Sequence, residues 1–380
     1  MSSSTKILLI FPEEHLSYSP TTLNVFRELQ KHYETTVITF APSKRSKKRI
    51  EDKGVLFIET PKWHRYFLKP LLIIYSPFQQ KMNYQLLKKI GLSSFYRLFL
   101  LKNQVKPFIK NHEIIAIDFI SAWLCQEVFD KNIHYLSLEI FEGDPFFMMI
   151  DDSKLKSVFI QNEDRYNFIF KHKHLNTFYI QNAPEYIPFK TLRANERKGL
   201  LFLGSAEIGF GIYSCLDFIK QYPEFTLTIK GQLLNDVKET IHSKYENLIS
   251  KKQLIIDSNY IEQSDLASYL NKFRIGFCFY DTRQPKMDRF NYYTAPSGKL
   301  FQYHASGIPV IASNLQGLNS VRNYNTGVMI PDLTPETIYQ AIQTIEADYD
   351  TMVENSFVAA DFYDFTKSIK PYVEVFKQAE

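Results

Sequence analysis

Short apolar runs separated by amphipathic stretches recur along most of the chain. In the first half the runs fall at residues 6–11, 35–40, 113–117, 133–137, 157–161 and 177–180, and residues 21–32 carry Leu23, Val25, Phe26 and Leu29 at helical spacing. Strand, loop, helix, strand in that order predicts parallel α/β units. A second series begins near residue 199, with strands expected at 199–203, 225–229, 253–257, 275–280, 308–312 and 327–330. Helices are expected near 212–222, 235–249, 262–272, 298–306 and 335–347. The predicted fold class is α/β, with two tandem Rossmann-like, doubly wound domains.

The rhythm breaks twice. Residues 181–184 and the polar stretch 191–198 read as an interdomain linker, which divides the chain into domains 1–190 and 191–360. Residues 61–110 form an insertion rich in aromatic and basic side chains, among them Trp63, Arg65, Lys69, Lys88, Lys89, Tyr96 and Arg97. Together with the basic run Lys44, Arg45, Lys47, Lys48 and Arg49, it suits either an anionic membrane surface or helices packed on the core with a basic outer face. The second reading is slightly favoured.

Residues 294–313, TAPSGKLFQYHASGIPVIAS, join a turn, a short helix and a buried strand. Pro296 disfavours helix at Ala295, Ser297 is placed to cap a helix opening at Gly298, and Gly307 to close it. Lys299 is the anomaly, because a cation in the first turn opposes the helix dipole by roughly 0.3–1 kcal/mol. A bound anion would reverse that sign, since the first amides of the helix and the Lys299 ammonium form a ready phosphate site. A solvated lysine on a packing helix is the plain alternative.

Composition narrows the class. Apolar residues make up 45% and charged residues 23%, as in an ordinary folded protein, and the length of 380 residues suits two domains. A net charge of +4 does not call for a nucleic-acid partner. Cys125, Cys215 and Cys278 are far apart, with no C-x-x-C pair, and fit buried thiols in a reducing compartment better than a disulfide framework or a metal site. The N-terminus lacks signal-peptide features, and the greasiest stretch, residues 66–78, is broken by Lys69 and two prolines. A cytoplasmic protein is expected, at the inner membrane face if the insertion binds lipid.

Parallel sheets bind ligands at the carboxyl ends of their strands, which directs attention to the polar residues just past each run. In the first half these are Glu13, Glu14 and His15, then Asp118, then Glu139, Glu142 and Asp144, each a possible general base and each more often a cap or a solvated charge. Of these residue types, histidine is the one suited to proton transfer near neutrality, which points to His15. In the second half the first strand runs into Gly204, Ser205, Gly209 and Gly211, whose backbone can approach a phosphate. The strand at 275–280 leads into Asp281, Arg283, Lys286 and Arg289, a lid or further phosphate contacts if not a solvated loop.

In the linker Q-N-A-P, the loop F-L-G-S and the run P-S-G-K-L-F-Q-Y-H-A-S-G-I-P-V-I-A-S, the chain resembles the GT-B fold glycosyltransferases, especially those making bacterial surface glycans. The resemblance implies an interdomain cleft, an acceptor-binding first domain, a nucleotide-sugar-binding second domain and a final helix within 361–380 that crosses back. It implies donor contacts from Gly204, Ser205, Asp281, Arg283, Ser297, Gly298, Lys299 and Gln302, with no obligatory metal and no cofactor beyond the donor. His15, Asp118 or Glu139 would deprotonate the acceptor, a glycan or lipid-linked sugar. The chain departs from the E-x7-E pattern: Thr294 and Gln302 stand where glutamates are expected, and no Arg/Lys pair follows the glycine loop. A non-catalytic GT-B subunit and a nucleotide-sugar epimerase are the rival readings.

Overall fold

The structure is a computed structural model and describes residues 5–42, 50–60, 96–140, 142, 147–171, 173–285, 287 and 289–377. The basic run at 44–49, residues 61–95 of the insertion, Asp144 and Lys286 lie outside the described residues. The chain divides into two compact units, one of residues 1–181 with 368–380 and one of residues 182–367.

The first unit is built on a seven-stranded sheet: β1 (Lys6–Phe11), β2 (Glu34–Phe40), β3 (Val55–Ile58), β4 (Glu113–Ile117), β5 (Ile133–Leu136), β6 (Leu155–Ile160) and β7 (Thr177–Tyr179). Its order is β3-β2-β1-β4-β5-β6-β7, and every described pairing is parallel. The central strands read as continuous apolar runs because both faces are covered: Ile7 to Ile10 are fully buried. The edge strand β3 was not predicted from the sequence. It follows Gly54, whose φ of +89° permits a turn in which a side chain would meet the Thr35 carbonyl at 2.6 Å.

At the described end of the insertion, residues 96–105 are helical, and Tyr96, Leu98, Leu101 and Val105 are buried. Arg97 lies 4.3 Å over the Phe40 ring and donates to Glu14 Oε1 at 2.8 Å. Here the aromatic and basic pattern is packed helix. The end of helix Phe365–Lys377 belongs to this unit as well: Tyr372 packs on Phe159, Phe376 on His134, and Tyr33 Oη donates to the Val373 carbonyl at 2.8 Å.

The second unit carries a six-stranded parallel sheet: β8 (Leu200–Leu203), β9 (Leu227–Lys230), β10 (Leu254–Asp257), β11 (Ile275–Cys278), β12 (Val310–Ser313) and β13 (Gly327–Ile330). The order is β10-β9-β8-β11-β12-β13. Both sheets therefore reverse direction beside their first strand, between β1 and β4 and between β8 and β11, the place where an open α/β sheet opens a crevice.

The helices expected from the spacing are found, one of them divided, whereas helices Asp118–Trp123, Glu163–Phe170, Phe290–Thr294, Ser320–Asn323 and Tyr349–Phe362 were not expected. The helix expected over 235–249 is split into Asn235–Lys244 and Glu246–Ser250 at Tyr245, whose buried ring turns inward and whose hydroxyl donates to Asp217 Oδ1 at 2.7 Å. Among the described residues no helix is long and apolar enough to cross a membrane. All three cysteines are buried and unpaired.

Candidate functional site

In the second unit, helix Gly298–Ala305 is seated on the sheet by Tyr303. Its hydroxyl donates toward the Phe277 carbonyl at 3.0 Å and the Leu201 carbonyl at 3.3 Å, and accepts the Leu203 amide at 3.1 Å. It thus bridges β8 and β11 at the point where the strand order reverses. Gly276 leaves room for the ring, since a side chain there would meet it at 2.8 Å. Tyr303→Phe is expected to cost about 1–3 kcal/mol by stranding these buried backbone groups. A denaturation midpoint equal to the native one would remove this anchoring role.

One helical turn before Tyr303, on the same face, stands Lys299. Its ammonium lies 4.3 Å from the Phe210 ring centroid, 5.3 Å from Phe202 and 5.6 Å from Tyr280. Among the described residues it forms no ion pair or hydrogen bond. Burial lowers its pKa from the ordinary lysine value, opposed by Glu207 and the neighbouring thiols. Three aromatic faces thus hold a cation at a helix N-terminus without neutralising it, and its N–H donors remain available to an anion.

Ser297 is the residue before the helix, but its side chain does not cap it, contrary to the expectation from sequence. Ser297 is buried beside the Cys278 thiol at the end of β11, and the first amides of the helix have no side-chain acceptor from this residue. Gly298 is needed for close packing, because a side chain would meet Asn182 Nδ2 at 2.8 Å. Gln302 is half-buried on the next turn. Thr294 is buried and donates to the Phe290 carbonyl at 2.8 Å, so its hydroxyl serves the end of helix Phe290–Thr294.

The glycine loop follows β8. Gly204 has φ +101° and open space where a side chain would stand, and Ser205 beside it is exposed. Gly231, the residue after β9, comes so close that a side chain would overlap the Gly204 carbonyl. The loop after β11 is tied to the glycine loop, since the Asp281 amide donates to the Gly209 carbonyl at 2.8 Å. Arg283 is engaged locally: its Nε and Nη2 donate to the Asp281 carboxylate at 2.7 and 3.1 Å. Burial pushes the Asp281 carboxyl up, but the Arg283 guanidinium, with Gln284 and the Arg283 amide, together outweigh it and the net shift is downward.

A cation that sequence reasoning missed lies next to this loop. Lys230, the last residue of β9, is buried, paired with Asp257 Oδ1 at 3.0 Å and donates to the Asn259 carbonyl at 2.6 Å. Tyr269 donates to the other carboxylate oxygen of Asp257. Against the desolvation that raises it, these bonds bring the Asp257 carboxyl down to about 2. The signal available was charge at the ends of two adjacent apolar runs, yet their pairing spans 27 positions of sequence.

In the first unit, β1 and β4 pair with Ile10 opposite Ala116, so the residues just past both strands flank the reversal of strand order. Asp118 opens helix Asp118–Trp123 with φ +57°, a left-handed conformation that costs a non-glycine residue roughly 1–3 kcal/mol. The amides of Leu138 and Glu139 donate to its Oδ1 at 2.7 and 3.0 Å. Burial, and next the Glu139 charge, raise its carboxyl to about 7 against the pull of those amides and of Arg165. A strained carboxylate with a proton affinity near neutrality has the chemistry of a general base.

The structure brings Asp118 and Glu139 together, with the Glu139 side chain exposed. His15 is exposed after β1, edge-on to Phe11 at 5.4 Å. Glu14 is paired with Arg97, and burial raises the Glu13 carboxyl although Arg97 opposes it.

No protein-family model and no curated protein sequence matches the chain. Solved structures resemble it over nearly its whole length. The Anabaena protein HepE in complex with UDP superposes with a TM-score of 0.69 at 13% identity, covering 98% of this chain and 100% of that one. Sucrose-phosphate synthase from Thermosynechococcus elongatus gives 0.68 at 17%, covering 99% of each. The E. coli trehalose-6-phosphate protein bound with UDP-2-fluoro glucose gives 0.63 at 9%, covering 98% of this chain and 99% of that one. These neighbours are GT-B glycosyltransferases, and the likeness establishes the fold as two tandem Rossmann-like domains of the GT-B type.

Proposed function

We propose that this chain is a glycosyltransferase that moves a sugar from a nucleotide-sugar donor, bound by the second unit, to a hydroxyl of a glycan or lipid-linked acceptor, bound by the first. The observation that carries the reading is Lys299, a caged cation at a helix N-terminus with no ion-pair partner among the described residues, beside a glycine loop with open space at Gly204. In this reading Gly204, Ser205, Gly298, Lys299 and Gln302 contact the donor, and Arg283 leaves Asp281 for a donor phosphate. Asp118 takes the proton from the acceptor hydroxyl as its oxygen attacks the anomeric carbon. The bond from that carbon to the phosphate oxygen breaks, and Lys299 and the helix amides receive the leaving charge, so no metal is required for this role. A single displacement of this kind inverts the anomeric configuration. The proposed setting is bacterial surface polysaccharide synthesis at the cytoplasmic face of the membrane.

Thermal stabilisation of the purified chain by UDP, GDP, CMP and dTDP tests the donor site, because a ligand bound by the folded state alone raises the Tm. One of the four is expected to stabilise it by several degrees, and the corresponding radiolabelled nucleotide sugar to be turned over. Thr294, whose hydroxyl is committed to Phe290, supports a second reading as a non-catalytic GT-B subunit. A flat response to all four nucleotides would favour that reading.

A further inference from the structure

The carboxylate of Asp118 is held by the amides of Leu138 and Glu139, and behind this segment lies a fully buried arginine. Arg165 lies in helix Glu163–Phe170, which Asn162 caps by accepting the Arg165 amide at 3.0 Å. Its side chain has no solvent exposure, and its Nη2 donates to the Leu138 carbonyl at 2.9 Å. The amide of that same Leu138 donates to Asp118 Oδ1. Taking a guanidinium out of water is costly unless it is well bonded and faces opposite charge. The charged and titratable groups that act on Asp118 are Arg165, Glu139 and the Tyr135 phenol.

We infer that Arg165 is a positioning residue for Asp118, and that Glu139 is its counterweight rather than a second base. Arg165 grips the Leu138 carbonyl and so fixes the 138–139 backbone that clamps the carboxylate, while its charge favours the ionised form. Glu139 contributes its amide to the clamp, and its exposed carboxylate opposes ionisation of Asp118. The two side chains thus bracket the pH at which Asp118 exchanges its proton. The inference rests in part on the reading of Asp118 as the general base, but its central test needs no activity.

The ionisation of Asp118 is read from the Tm difference between each protein and its Asp118→Asn partner, followed from pH 4.5 to 9. A carboxyl raised to about 7 in the fold from 3.8 lets the folded state bind the proton more tightly. The stability this gives is lost as pH rises, so the advantage of Asp118→Asn should grow through that window and level off above about 7. In an Arg165→Gln background, which keeps a donor but removes the charge, the levelling point should move up by a few tenths of a pH unit. In a Glu139→Gln background it should move down by a few tenths.

The same curve in all three backgrounds overturns the inference. If Arg165→Gln does not fold, Glu139→Gln and Arg165→Lys decide it: no downward movement in the first, or an upward movement in the second as large as loss of the charge would give, is fatal. Turnover separates this inference from the proposed function. If the curves move but Asp118→Asn turns over donor at the native rate, the base assignment fails and the positioning stands. If Asp118→Asn is inactive and the acid limb of the native pH profile is unmoved by Arg165→Gln, the positioning fails alone.

Discussion

Asp118→Asn is expected to lower turnover of the nucleotide sugar by about 10²–10⁴-fold while making the folded chain more stable at pH 8. The first effect is the usual size for loss of a general base. The second follows from the desolvation that lifts the carboxyl to about 7, because ionised Asp118 is held in surroundings that favour its protonated form. A difference of about 3 units between folded and unfolded states corresponds to roughly 4 kcal/mol once the group is fully ionised. Asparagine still accepts the Leu138 and Glu139 amides and carries no charge, so part of that cost is relieved. A higher Tm with lower activity marks a residue kept for chemistry at the expense of stability. Native turnover in the variant would end the assignment, and a Tm below native at pH 8 would show that the charge is paired by something else.

Lys299→Met should weaken nucleotide binding by about 10–100-fold, the loss expected from removing a charge-assisted hydrogen bond worth about 1.5–3 kcal/mol. The free protein should keep its native Tm or exceed it slightly. Burial lowers the lysine pKa, so the folded state holds this proton less tightly than the unfolded chain, and stability is gained as pH rises through the lowered value toward 10.5. Near neutrality the charge is therefore a cost, partly offset by the three aromatic faces. Methionine places an uncharged side chain of similar length among the same rings. Calorimetric titration with the stabilising nucleotide reads the affinity, and native binding by the variant would remove Lys299 from the phosphate site.

The segment around Lys299 was the most legible part of the chain. Pro296 and Gly307 bracket a helix observed as Gly298–Ala305, and the apolar run after it is β12. Its details were less legible: Ser297 has the right identity for a cap, but in the fold its side chain is buried beside Cys278 and does not cap the helix. Arg283 reads as a free cation in sequence, yet Asp281, two positions away, holds it in a bidentate pair. In the first unit the position of Asp118 past a strand was readable, and its clamp was not, because the two amides come from about 20 positions downstream. Arg165 carried no signal at all, since a single arginine in a polar-looking helix is ordinarily solvated.

The sequence by itself determined most strands, the helices of strong periodicity and the fold class. The period of apolar residues chooses between strand and helix, and proline and glycine punctuate them through backbone sterics that need no partner. Only the tertiary structure decided which strand ends are neighbours, and with that which side chains meet. The order of the two sheets sets β4 beside β5 and β8 beside β11, which brings Asp118 to the Leu138 and Glu139 amides and Lys299 to three aromatic rings. Proton affinity and the availability of a charge depend on desolvation and on partners distant in sequence, so they exist only once the chain has folded around them.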